Sequence, residues 1–169
     1  MKPLLVGECY DGECLGLDTP SGFRLCAIMG VDPDDYVERY VKQNLCSSVW
    51  EQEAAIFAAK RIAVNAMFQT GPSRIVLLGR RVADAFRDAL VAMGASGLDR
   101  LELLEGYYCV GSSPEREIVL IVLPHPSGKS RVWNDPKALR RARRLLIEGE
   151  VVPATPVFVP RKRVGRHGK

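Results

Sequence analysis

His125 is one of two histidines in a chain of 169 residues, and it stands between two prolines in the stretch LPHPSGKSRVWNDP, residues 123–136. Pro124 locks its own φ, and Pro126 biases the histidine backbone toward an extended conformation. The run EIVLIV ahead of them reads as a buried strand, and a polar loop of Ser127, Gly128, Lys129, Ser130 and Arg131 follows. A neutral imidazole held at a strand end can donate one N–H to a carbonyl oxygen, or to an oxygen on which negative charge develops. The competing reading is a turn histidine whose ring bonds to backbone. Two more polar loops follow apolar runs in the same way: GECYDGE after PLLVG, and GRR after RIVLL.

Such loops need elements to hold them. PLLVG (residues 3–7), RIVLLG (74–79) and EIVLIVLP (117–124) are continuous aliphatic runs, the pattern of strands buried on both faces. Helical patterns lie between them. Residues 33–43, PDDYVERYVKQ, have a start signal at Asp32 and helical spacing of Tyr36, Val37, Tyr40 and Val41. NLC (44–46) reads as a short strand or a strand end. Ser48 and Glu51 form a capping-box pattern. An alanine-rich helix is predicted over residues 50–68, with Trp50, Ala54, Phe57, Ala58 and Ile62 on one face. A further helix is predicted over 82–93, a strand or hairpin over 101–111, and a basic amphipathic helix over 137–147 with Asp135 and Pro136 suited to its start. Trp133 is either a packing lid or a surface contact. Pro153, Pro156 and Pro160 predict an extended arm from Val151 onward, with the last ten residues disordered.

The sum predicts one α/β domain over residues 1–150 and an arm with a basic tail over 151–169. The expected architecture is a three-layer sandwich around a mostly parallel central sheet of about four strands. Ligands bind such sheets beyond the carboxyl ends of the strands, where the three polar loops fall.

Composition narrows the function. With 47% hydrophobic and 26% charged residues the chain is ordinary globular protein, and its net charge of +4 leans toward polyanionic partners. KALRRARR and PRKRVGRHGK carry much of that charge, either as a solvated helix face and tail or as phosphate contacts. No apolar run is long enough to span a bilayer and the first residues lack a signal-peptide layout, so a cytoplasmic or nucleoid-associated protein without membrane contact is expected. Cys9, Cys14, Cys26, Cys46 and Cys109 include no CxxC pair and are expected to be reduced thiols. Two histidines are too few for a histidine metal site, and no G-x-S-x-G or Walker loop supports a plain small-molecule hydrolase or nucleotide enzyme.

HPSGKSR (125–131) after an apolar strand resembles the second signature of the uracil-DNA glycosylase superfamily, in which a strand ends in His-Pro-Ser or Asn-Pro-Ser. IVLLGRRVADAF resembles the strand and helix those proteins carry before it. LLVGECYDG occupies the place of the first signature, a strand followed by Gly-Gln or Gly-Glu. SGFRLCAIMG is similar to the Ala-Gly-x-x-Leu segment of the iron–sulfur branch, and QNLC sits where an asparagine ends the second core strand. Order and spacing agree over residues 3–147, and the tail lies outside the resemblance.

The resemblance implies a uracil-DNA glycosylase-like fold and a metal-independent hydrolase of N-glycosyl bonds in DNA repair. Such an enzyme flips a nucleotide out of DNA and excises uracil or a modified pyrimidine. His125 would donate to the base carbonyl as the base leaves as an anion. Asn44 would read the pyrimidine edge, since its amide both donates and accepts. Turn capping is the alternative for Asn44. Gly7 would belong to the base-binding loop. Ser127, Gly128, Lys129, Ser130 and Arg131 would hold phosphates.

The chain departs from the family pattern in three places. Cys9 stands where the classical first signature has a water-positioning Asp, so either that role falls to Asp11, Glu13 or Glu8, or water activation is weak. Lys129 replaces the leucine that wedges into the base stack. Leu17 lies near the place of the stacking Phe, for which Tyr10 or Phe23 would substitute. The iron–sulfur branch has a cysteine pair before the first signature, and only Met1 to Gly7 precede it here, so no cluster is expected. The expected partner is DNA, single- or double-stranded, bound by a monomer. The alternatives are a non-catalytic nucleobase- or DNA-binding module of the same fold, and a specialised glycosylase for hypermodified pyrimidines.

Overall fold

The computed structural model describes residues 2–9, 15–68, 71–96, 98–111, 117–127, 130–148 and 157–159. The aliphatic runs form strands as expected: β1 (Leu4–Cys9), β3 (Arg74–Leu78) and β5 (Glu117–Leu123). Three more strands join them: β2 (Val41–Cys46), β4 (Glu105–Gly111) and β6 (Val157–Val159). The sheet therefore has six strands among the described residues, in the order β2-β1-β3-β5-β4-β6, and exceeds the four expected. β2, β1, β3 and β5 are mutually parallel, β4 runs antiparallel to β5, and β6 runs parallel to β4. The short segment Val157–Val159 of the arm thus returns to the sheet edge. The basic tail beyond it lies outside the described residues.

Helices cover both faces. α1 (Pro20–Met29), α2 (Pro33–Arg39) and α5 (Pro136–Arg143) contribute Leu25, Tyr36 and Ala142 to a core with Leu5, Val76, Leu78, Ile121 and Leu123. α3 (Gln52–Phe68) and α4 (Arg80–Ala92) contribute Ala59, Ala63, Phe86 and Leu90 to the opposite core, with Val6, Ile75, Leu77, Leu120 and Val122. Alternate residues of each central strand thus enter opposite cores, as the side-chain period of two requires. No helix among the described residues is long and apolar enough to cross a membrane.

Two helix ends and one buried stripe differ from the sequence expectation. The helix predicted over 33–43 stops at Arg39, because Tyr40 turns extended (φ −121°, ψ 138°) and the Val41 N–H donates to Pro3 O at 2.9 Å, opening the β1–β2 ladder. Pairing with a central strand outweighs the helical spacing of Tyr40 and Val41. The buried stripe of α3 is Ala55, Ala59, Ile62, Ala63, Ala66 and Met67, not the one through Ala54 and Phe57. Small residues let the helix approach the sheet closely, and Phe57 is left 64% exposed. The C-terminal helix becomes a π-helical turn over Arg144–Glu148, where the Arg74 guanidinium donates to Leu146 O at 3.2 Å.

The chain leaves β1 for β2 on one side and then crosses to β3 on the other. A crevice forms beyond the carboxyl ends of strands where an α/β sheet reverses its order in this way.

Candidate functional site

Four parallel strands carry Asn44, Gly7 and Glu8 in their carboxyl-terminal halves and Gly79 and His125 just past their ends. Gly7 and Asn44 are register partners in β1 and β2. They also touch through space: a Cβ on Gly7 would lie 2.5 Å from Asn44 Oδ1 and 3.7 Å from Leu15 Cδ1. No real Cβ tolerates the first approach, so only glycine lets the asparagine amide lie across β1. Leu15 is buried in a left-handed conformation (φ 53°), and its carbonyl accepts from the hydroxyl of the fully buried Tyr36 at 3.0 Å. The wall beside Asn44 is thereby anchored to α2.

Gly79 lies between Glu8 and His125. A Cβ there would lie 3.2 Å from Glu8 Oε1, 3.3 Å from His125 Cβ and 3.4 Å from His125 Cδ2. Its φ of 104° and ψ of 162° belong to a region essentially closed to side-chain-bearing residues. The Gly79 N–H continues the ladder to Leu123 O at 2.8 Å, and α4 starts at the next residue without a side-chain cap. The positive end of α4 therefore points into the same region as the Glu8 carboxylate. Arg81 approaches Glu8 at 3.8 Å, but its side chain is 64% exposed, which makes a weak and salt-screened pair.

The His125 loop is held at three points. The Ser127 N–H donates to His125 Nδ1 at 3.1 Å, Trp133 Nε1 donates to His125 O at 3.0 Å, and the Ser130 N–H donates to Ser127 O at 3.2 Å. An Nδ1 that accepts carries no proton, so the neutral ring keeps its proton on Nε2. Nε2 has no partner among the described residues. Burial lowers the His125 pKa from the ordinary 6.5, against a smaller opposing pull from the Glu8 carboxylate, so the ring is neutral at pH 7. The result is a fixed, uncharged N–H donor. Trp133 is 4% exposed and acts as the packing lid of this loop rather than as a surface contact.

The structure thus brings Glu8, His125, Gly7 and Asn44 to one end of the sheet. Ser127, Ser130 and Arg131 follow His125 on the same rim, although the Ser127 N–H is already committed to the imidazole. Phe23 lies in the first turn of α1 and is 65% exposed. Tyr10, Asp11, Glu13, Gly128 and Lys129 lie outside the described residues. From sequence Gly79 reads only as the opening of the turn into the next helix, and its place between Glu8 and His125 is seen in the structure alone. Leu15 and Tyr36 carried no sequence signal of their places.

The basic helix α5 has largely structural work. Arg143 donates to Ile28 O at 2.8 Å and so caps the end of α1, while Arg141 holds Leu104 O at 3.3 Å and Glu105 at 3.2 Å. Cys26, Cys46 and Cys109 are buried in separate parts of the two cores. Among the described residues no three His, Cys, Asp or Glu side chains converge where a metal ion could sit. Comparison with known proteins returns no matching family model, no matching curated protein and no matching solved structure.

Proposed function

We propose that the chain is a metal-independent DNA glycosylase that excises uracil or a modified pyrimidine from DNA. The observation that carries this reading is the Ser127 N–H donating to His125 Nδ1 at 3.1 Å, an arrangement that assigns the proton of a neutral ring to Nε2, free to donate at the carboxyl end of β5. When the C1′–N bond breaks, its electron pair stays with the base, and charge collects on the ring carbonyl oxygen. A preorganised neutral donor stabilises that oxygen more in the transition state than in the ground state. Water then adds its oxygen to C1′ and loses a proton, for which the Glu8 carboxylate beside His125 is the described acceptor. Asn44 reads the base edge, with one acceptor and two donor hydrogens on its amide. Arg131, Ser130 and the Ser127 hydroxyl hold the backbone, together with Gly128 and Lys129.

Strand-nicking gels on single- and double-stranded oligonucleotides carrying uracil, mismatched thymine or 5-substituted uracils test the reading. The expected result is an abasic product from at least one of them. No product from any would sink it. A non-catalytic nucleobase-binding module is favoured by the Cys9 that replaces the classical acid and the Lys129 that replaces the wedge. Tight binding with the glycosidic bond left intact would select that module. Mass spectrometry of the released bases distinguishes ordinary uracil from hypermodified pyrimidines.

A further inference from the structure

Two adjoining concavities, of about 560 and 300 Å³, run along the outer edge of β2 and share Gln43, Ile62 and Asn65. They lie away from His125. One wall is the outward face of α3, where Phe57, Lys60, Arg61, Val64 and Asn65 recur at i, i+3, i+4, i+7 and i+8, the spacing of one helix stripe. The opposite stripe of the helix faces the core, and this second stripe is open to solvent. Lys2 lines the far end.

Neither concavity is lined by an Asp or Glu. Lys2, Lys60 and Arg61 form no ion pair among the described residues, whereas Arg39, Arg80, Arg87 and Arg141 each hold a carboxylate. Phe57 lies one turn from both Lys60 and Arg61, with its ring 64% exposed. Charge complementarity demands an anionic occupant. A carboxylate-bearing segment would need only the cations, but an exposed aromatic beside them adds a platform for a flat ring. A positive groove with a stacking aromatic is the combination that holds single-stranded nucleic acid. Gln43 pairs with Val6 on the α3 face of the sheet and Asn44 pairs with Gly7 on the other face, so the groove and the candidate base-reading amide lie on either side of the edge strand β2.

We propose that this edge groove binds the single-stranded continuation of a nucleic acid engaged at the strand ends, with a base on Phe57 and phosphates on Lys60, Arg61 and Lys2. The inference rests on the reading of the chain as DNA-acting, but its test does not. The full chain is titrated by fluorescence anisotropy with an oligodeoxyadenylate of about 12 nucleotides, which carries no pyrimidine, over a range of salt. Phe57→Ala is expected to weaken binding about tenfold. Lys60→Gln with Arg61→Gln is expected to weaken it and to flatten the salt slope by about 1.4, two phosphate contacts at about 0.7 each. All three side chains are exposed, so the variants keep the wild-type thermal midpoint. Unchanged affinity and slope in both variants would overturn the proposal. Equal binding of an oligoglutamate peptide, lost in the same variants, would also overturn it and assign the groove to an acidic protein segment. The probe has no excisable base, so intact groove binding without excision overturns only the proposed reaction, and excision without groove binding overturns only the groove.

Discussion

His125 titrates in the opposite sense to a histidine that gains an acidic partner. Burial dominates over the nearby Glu8 carboxylate, and the folded pKa falls below the 6.5 of the unfolded chain. Between those two values the unfolded chain binds the extra proton, so acidification favours unfolding. Thermal midpoints should therefore fall more steeply below pH 6.5 in the wild type than in His125→Gln, and parallel curves would contradict the assignment. Under the proposed reaction the acid limb of kcat should likewise lie below the ordinary histidine value, because burial disfavours the charged ring. His125→Ala should lower kcat by about 10²-fold or more. A loss seen only in KM would point to uniform binding instead. The thiol of Cys109 has no such role: burial alone pushes its pKa up to about 12. Iodoacetamide at pH 8 should leave it unmodified in the folded chain and label it in denaturant, read by peptide mass spectrometry.

At the scale of elements, two glycines decide whether the strand ends can meet. Gly79 turns β3 into α4 at a φ of 104° and packs between Glu8 and His125. Gly79→Ala should destabilise the fold by about 1–3 kcal/mol and reduce base release in step, measured by denaturant unfolding and initial rates. Gly7→Ala acts differently. Its backbone has ordinary extended geometry, but the new methyl would take the space of Asn44 Oδ1. The expected loss is in discrimination between uracil and cytosine, with a smaller change in unfolding midpoint than Gly79→Ala. The signals for these turns were visible as glycines closing aliphatic runs. The extent of β2 was not, because six residues with a helical lead-in become a strand only when β1 supplies the ladder. The orientation of α3 was also hidden. An alanine-rich helix has several stripes of similar hydropathy, and the close approach to the sheet selects the one with the smallest side chains.

For the whole molecule, strand order matters more than any single contact. The reversal at β1 leaves β2 as one edge and places its partner helix α3 along that edge, which creates the groove. At the other edge, β6 contributes three register pairs with β4 and none with the strands that carry the candidate site. A chain ending at residue 148 should therefore unfold in one cooperative transition, with a midpoint only a few degrees lower. Under the proposed reaction its rate of base release should equal that of the full chain. A broad or two-step transition in calorimetry would show that the arm is integral to the core.

The sequence by itself determined the three aliphatic strands, the placing of polar loops at their carboxyl ends and the rigid histidine between prolines. These follow from local rules: continuous apolar runs bury on both faces, and prolines restrict φ wherever they stand. Only the tertiary structure decided which polar groups face one another. The Asn44 amide across Gly7, Glu8 beside His125 through Gly79, and the Tyr36 hydroxyl on the Leu15 carbonyl each join residues far apart in the chain. The β2-edge groove has the same origin, because Phe57 at helical spacing reads as core until packing against the sheet turns its stripe outward. Through-space contacts of this kind depend on strand order and helix rotation, and neither is encoded in the periodicity of any one segment.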